Sequence, residues 1–560
     1  MVMFMERTYF KTAPAAPRTT PFGIFVNQAG YYPDSCKRAV IPYECDSFEI
    51  VDIDGNVCFS GKTVSKGYDE SSGDNVWIAD FSAFRENGRF VVRAGGKESA
   101  MFDIGDNVYD DIFYKTSKAF YFLRCGCGLE EKYAGVWHHG KCHTSIAKLW
   151  DDRNVEIDVT GGWHDAGDYG RYITAGACAV AHLLYAFRMF PDVFEKQKLN
   201  IPATICPDIL SEVRYELEWM LKMQDENGGA YHKATTAQHA PFVMPEDDKE
   251  EMLVFPVSSM ATADLAAVCA LASGIYADYD KDFSERLFRA AERSAEWLDM
   301  HPEFIGFTNP EGCNTGGYYE RDDLSNRFWA YSEMYALTGE SRYHDRLIKA
   351  LDTEFPLAAL GYAEVGGFGA LAYILCEQSK DEKIENKIKG TFLRSAEELR
   401  VKADKCGYGV AMESREYGWG SNMGLMTKAM LFAICDVLFD KKIYREYATA
   451  HLDFLLGANA LGISYVTGVG EFRCNYPHLR PSYADGIEEC IPGMVAGGAN
   501  GYLSDPYAKK VIPEGTPPMK CYADVTESYS LNEITIYWNS PAVFVLAYFC
   551  GNISGGDSGQ

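Results

Sequence analysis

The 560 residues carry 53 basic against 80 acidic side chains, a net charge of −27, and a field of that sign repels phosphate backbones and anionic lipid surfaces. Nucleic-acid and membrane-surface partners are therefore not expected. Hydrophobic residues at 47% and charged residues at 24% are ordinary globular composition, which excludes a mostly disordered chain.

At about 150 residues per domain, the length allows three to four units, or one small domain beside one large one. No run approaches the ~18 apolar residues of a membrane span, and the start, MVMFMERTYFKTAPAAPRTT, has no apolar stretch long enough for a signal peptide. As written, the chain reads as cytoplasmic, or as secreted with its leader removed. The 17 cysteines are odd in number and lie mostly singly in apolar segments, as at Cys178, Cys269 and Cys435, which fits reduced thiols rather than a disulfide scaffold.

In chain order, residues 1–21, rich in Thr, Pro and Ala, read as a flexible arm. Over 22–106, short alternating runs (RAVIP, SFEIVDI, NVWIADF, RFVVRA) separated by turn pairs such as Asp54-Gly55 predict a small all-β sandwich. Over 107–550 the texture is helical, with segments of three-to-four periodicity starting near Tyr109, Gly170, Pro207, Ser259, Phe283, Leu324, Tyr343, Gly366, Glu382, Asn422, Tyr444 and Leu531. Such a set suits six hairpins in two concentric rings, and no fixed sequence period supports a solenoid instead. A Gly/Pro-rich stretch from Gly457 to Tyr529 is of the length that carries function when ordered, and 551–560 reads as a flexible tail.

Three segments carry chemistry. In Gly161-Gly162-Trp163-His164-Asp165-Ala166-Gly167-Asp168-Tyr169-Gly170, two carboxylates three apart could hold and deprotonate one water, although capping of the following helix is an equal reading. In Tyr522 to Ser540, Glu533 sits among aromatic and aliphatic neighbours, where loss of solvent would keep a carboxyl protonated as a general acid; a helix-capping role is the alternative. In the stretch from Ser464 to Ser482, His478 and Arg480 could hydrogen-bond hydroxyls from one side of a cleft. An acid facing a water-activating base is the equipment of glycosidic hydrolysis.

In order and spacing these three segments resemble the signatures of glycoside hydrolase family 9. Val26-Asn27-Gln28-Ala29-Gly30-Tyr31 and Lys37-Arg38-Ala39-Val40 resemble the N-terminal immunoglobulin-like module of one branch of that family. The resemblance implies an immunoglobulin-like sandwich followed by an all-α (α/α)6 barrel with an open cleft. It implies an inverting cellulase acting on β-1,4-glucosidic bonds in cellulose, soluble β-glucan or cellodextrins, endo-acting first and an exo-acting cellodextrinase or cellobiosidase as the variant. By position Asp168 matches the general base, Asp165 the partner that helps hold the water, and Glu533 the general acid. His478 and Arg480 match the substrate-binding loop and Asp524 a second acidic position. Trp163, Tyr169, Tyr417, Trp419, Tyr529 and Trp538 lie near these loops and are candidates to stack on sugar, with core packing open to each.

Cys125, Cys142, His143 and His164 are the ligand type of a closed structural zinc, although spacing alone does not choose them over Cys127, His138 and His139. The resemblance implies zinc there, bracing the loop of Asp165. Calcium, implied near an Asp-Glu pair, meets Asn326-Arg327 instead, with Asp322 and Asp323 leaving it open. The expected partner is a β-1,4-glucan or cello-oligosaccharide and the expected state a monomer. Outside this class stand a zinc-dependent hydrolase and a non-catalytic glycan-binding protein.

Overall fold

The computed structural model describes residues 18–205 and 207–552. Strands β1 (Arg38–Ile41), β2 (Ser47–Asp52), β3 (Val57–Lys62), β4 (Val64–Asp69), β5 (Asp74–Asp80), β6 (Gly88–Ala94), β7 (Lys97–Glu98) and β8 (Phe102–Ile104) form two sheets. One has the order β1-β5-β4; the other runs β3-β2-β6-β7, with β8 also on β6. The alternating residues Phe48, Ile50, Phe90 and Val92 point inward to a core closed by Tyr31, Phe81 and Phe102.

Helices α1 (Asp110–Phe122), α2 (Ile173–Met189), α3 (Asp208–Lys222), α4 (Ser259–Tyr276), α5 (Lys281–Met300), α6 (Leu324–Thr338), α7 (Ser341–Ala350), α8 (Gly366–Leu375), α9 (Glu382–Lys405), α10 (Ser421–Phe439), α11 (Tyr444–Leu455) and α12 (Ile536–Asn552) follow. The inner helices α2, α4, α6 and α8 pack in succession, α10 packs on α12, and α12 closes onto α2. Each outer helix, α1, α3, α5, α7, α9 and α11, lies against an inner one. The sequence dictates this partition: α2 and α4 are apolar nearly all round and buried along their length, whereas α5 and α7 bury one stripe, such as Leu287, Ala291 and Leu298. By length and composition α4 and α10 would pass as membrane spans, against the expectation that no run comes close; their inner-ring positions account for the hydropathy.

Eleven segments start within four residues of their expected positions, whereas α12 starts at Ile536 rather than near Leu531. Tyr529–Asn532 makes one helical turn, and the backbone of Glu533 is then extended, with φ −63° and ψ 154°. That break is where the expected general acid stands.

The arm is pinned where it is described: Arg18 donates to Asp524 Oδ2 at 2.8 Å and lies over the Phe472 ring. The rest of the expected arm, 1–17, and the tail residues 553–560 lie outside the described residues. The Val26–Tyr31 segment fastens sandwich to barrel. Asn27 donates to Asp453 Oδ1 at 2.8 Å, and Gln28 donates to the carbonyls of Gly462 and Phe472, both at 3.0 Å.

Candidate active site

Four segments distant in sequence are joined by their backbones. Ala166 bridges Thr535, His478 bridges Glu533, and Ala496 bridges Ile534. The Ile536 N–H donates to Asp165 O at 2.8 Å, and the Gly497 N–H donates to Glu533 O at 2.8 Å. Gly167 allows the approach: a Cβ there would stand 1.9 Å from His478 O. The result is a fixed frame in which the carboxyl groups of Asp165, Asp168 and Glu533 share one electrostatic environment.

Their environments push the carboxyls apart. Burial raises Asp168, but the hydrogen bond and charge of His239, the charge of Arg480 and the Gly170 N–H outweigh it and hold the group well below the usual carboxylate range. His239 Nδ1 stands 3.0 Å from Asp168 Oδ2. Glu533 is driven well above its ordinary value by loss of solvent and by the charges of Asp168 and Asp165, against Arg480 and a hydrogen bond from Trp419. Asp165 is raised by burial and by Asp168, with Tyr318 donating its hydroxyl to Oδ2 in opposition. An ionised carboxylate and a protonated one on facing loops can activate water and donate a proton to a leaving group.

His478 Nδ1 meets the Thr526 carbonyl at 2.6 Å, and burial pushes its pKa down to about 4. The ring is therefore neutral with its proton on Nδ1, leaving Nε2 to accept from a hydroxyl. Arg480 turns inward, donating to Ala240 O at 2.8 Å and Gly167 O at 2.7 Å; it ties loops together and supplies charge to Asp168.

Five of the expected substrate contacts are buried. Trp163 is fully buried, its indole N–H donating to Glu212 Oε1 at 2.9 Å and its ring packed on Phe120. Tyr417 is also inside the core, with no face open to a sugar. Tyr169 is buried against the rings of His143 and His164, with its hydroxyl on the Val243 carbonyl. Asp524 accepts from the N–H groups of Asn475 and Tyr476 and from Arg18, so it organises a loop instead of facing the cleft. Trp538 is buried as well. Trp419 alone among the six aromatic candidates is largely exposed, at 52%, and it packs on half-buried Tyr529 at 5.1 Å.

Sequence reasoning missed His239, for which a lone histidine in Gln238-His239-Ala240 gives no signal. It also passed over Tyr318, which follows Gly316 and Gly317 outside the three segments singled out. Tyr318 carries φ +49°, a left-handed conformation that a tyrosine rarely adopts, and holds Asp165 from there.

Comparison with known proteins decides the family. The model for Glycosyl hydrolase family 9 matches residues 109–546, and that for the Cellulase N-terminal ig-like domain matches 20–99. The chain belongs to glycosyl hydrolase family 9. It is 42% identical over 543 residues to a cellodextrinase of Butyrivibrio fibrisolvens, covering 94% of this chain and 99% of the relative. Among solved structures, a single mutant of a thermostable endoglucanase from Alicyclobacillus acidocaldarius superposes with a TM-score of 0.89 at 36% identity, covering 95% of this chain and 100% of the other. A Zn-binding triple mutant of the family 9 endoglucanase J30 gives 0.88 at 32% identity, over 93% and 99%.

The cysteine and histidine cluster assembles behind the catalytic loop of this family 9 enzyme. The N–H of Cys125 donates to Gly162 O and that of His164 to Leu123 O, both at 2.7 Å, which sets those two side chains together. The ligand atoms of Cys125, Cys142, His143 and His164 all lie within 4.8 Å of one another. His143 Nδ1 and His164 Nε2 are 3.3 Å apart, about the separation of two nitrogens on one tetrahedral ion at 2.0–2.1 Å. His143 Nε2 stands 3.2 Å from Asp248 Oδ2, the kind of support that fixes a ligand tautomer. The donor set fits a closed metal site.

Where the Asp-Glu pair of a calcium site was expected, Asn326 and Arg327 stand instead. Arg327 Nε lies 2.9 Å from Asp323 Oδ2, and its Nη atoms donate to the carbonyls of Leu298, His301 and Glu303, so a guanidinium supplies the positive charge. Asn326 donates to Asp264 Oδ1 at 2.9 Å, and Asp322 accepts from Leu324 N–H.

Proposed function

We propose that the protein is an inverting endo-β-1,4-glucanase that hydrolyses soluble β-glucan, cellulose or cellodextrins. The observation that carries this reading is the joining of the Asp168 and Glu533 segments at Ala166 and Thr535, in surroundings that drive the two carboxyls in opposite directions. Ionised Asp168 takes a proton from water as it attacks the anomeric carbon. Asp165, fixed by Tyr318, helps hold that water, and protonated Glu533 gives its proton to the departing glycosidic oxygen. His478 Nε2 accepts from a sugar hydroxyl, and Trp419 with Tyr529 offers rings to the acceptor sugar. The cellodextrinase relative supports short soluble chains as substrates and keeps end-directed cleavage as the second reading.

Zinc is the metal that the Cys₂His₂ donor set suits, held by Cys125, Cys142, His143 and His164. With four protein ligands it supplies rigidity to the segment leading into Asp165 rather than a water-activating position, which disfavours a zinc hydrolase. Retention of both a base and an acid disfavours a purely glycan-binding role. Proton NMR of the protein acting on cellopentaose tests the reading: α-anomer before mutarotation is expected, and β-anomer appearing first would overturn the mechanism. Products of several sizes would favour internal cleavage over processing from one end.

A further inference from the structure

Beside Trp419 stands one more exposed aromatic ring than the motifs account for. Tyr502 is 64% exposed, yet it is held at both ends. Its hydroxyl donates to Arg415 O at 2.9 Å. Its ring lies over Gly418, where a Cβ would stand 3.6 Å from Cδ2 and Cε2 of the tyrosine. Its N–H donates to Asn500 Oδ1 at 3.0 Å, and the neighbouring Gly501 N–H donates to Tyr417 O at 2.9 Å. An exposed ring held this way presents a fixed face and has little freedom left to lose on binding.

The turn that bears Tyr502 is fastened to the segment that bears Glu533. Asn500 Nδ2 donates to Ser530 O at 3.2 Å. Asp505 accepts from the Ser528 hydroxyl at 2.6 Å and from the Ser530 N–H at 3.1 Å. On the other side of Gly418 stands Trp419, whose ring packs at 5.1 Å on Tyr529, four residues before Glu533 in the same segment. A proton donor sits beside the oxygen that leaves, so rings fastened to the Ser528–Ser530 turn that leads into Glu533 are placed to border the leaving-group side of the scissile bond.

We propose that Tyr502 forms a second acceptor subsite, a stacking platform for the glucose unit one beyond the unit over Trp419. This rests on the glucanase reading above. Glucose presents its C–H face to a flat ring while its hydroxyls stay in water, which is what an anchored, solvent-facing tyrosine accommodates.

The test compares Tyr502→Ala and Tyr502→Phe on 4-nitrophenyl cellobioside, whose aryl leaving group reaches only the first acceptor position, and on cellohexaose. In Tyr502→Ala, kcat/KM on cellohexaose should fall about 5- to 10-fold, mainly through KM, while the aryl substrate changes less than about twofold. Tyr502→Phe, which keeps the ring and loses the anchor, should lie between parent and alanine variant. Unchanged cellohexaose kinetics in the alanine variant, or equal losses on both substrates, would sink the subsite. A parent enzyme inert on both substrates would overturn the glucanase reading and the subsite with it.

Discussion

Two tryptophans in neighbouring motifs show how the molecule divides its work. Trp163 is wholly buried behind the catalytic loop, where the Arg124–Glu212 ion pair, closed at 2.9 Å, accepts its indole N–H. Trp419 stands half in solvent, touching Glu533 and Tyr529. The Gly161–Gly170 loop is held from behind and presents carboxylates; the rim around Trp419 is held from below and presents rings. Both regions combine glycine, aromatic and polar residues, so composition does not separate them. What does separate them is which side of the backbone faces the barrel core.

The largest effect separates chemistry from binding. Asp168→Asn and Glu533→Gln should each lower kcat by about 10²- to 10⁴-fold on long and short substrates alike, with the fold retained by circular dichroism. Turnover close to the parent value in either variant would remove that residue from its assigned role. The two tryptophans should then split cleanly. Trp163→Ala opens a core cavity and should cost about 3–5 kcal/mol of stability by denaturant titration. Trp419→Ala should stay within about 0.5 kcal/mol while raising KM for cello-oligosaccharides. Equal stability losses would erase the contrast between the two regions.

The metal cluster sharpens the same contrast. Cys142→Ser should lower bound zinc, measured by elemental analysis, together with Tm, because binding energy for a structural ion is folding energy. Zinc lost with no change in Tm would leave the cluster without its bracing role. Where zinc and Tm fall together, activity should fall through disorder of the Asp165 loop, and not through a missing metal-bound water.

Much of this was legible in the sequence because it follows from local pattern. The inner helices announce themselves by apolar residues all round, the outer ones by a single stripe, and the glycines around Asp165 and Asp168 mark a loop that must approach another closely. The Cys125, Cys142, His143 and His164 set needed the family likeness, since Cys127, His138 and His139 offered the same chemistry nearby. Trp163, Tyr169, Tyr417 and Asp524 share one feature: each lies in or near a functional motif, but its side chain is buried in the frame. That burial comes from tertiary pairing, such as the bridge between Arg124 and Trp163, which no single segment contains. His239 was invisible for the same reason, as its loop reaches Asp168 only through the fold.

His239 also gives the smallest effect, which concerns pH. Burial alone would raise Asp168, and His239 is first among the groups that reverse this. The base works when ionised, so the acid limb of kcat/KM marks protonation of Asp168, and the alkaline limb marks loss of the Glu533 proton. In His239→Ala, Arg480 and the Gly170 N–H remain but the nearest opposing group is gone, so the folded-state pKa of Asp168 rises toward its burial-dominated value. The acid limb should move to higher pH, with activity lost on the acid side and little change where Asp168 is ionised in both proteins. The alkaline limb should stay in place, because the groups that raise Glu533 are burial, Asp168 and Asp165. A pH profile of kcat/KM on one cello-oligosaccharide checks both limbs. An acid limb that does not move would mean that Arg480 and the loop backbone alone keep the base ionised.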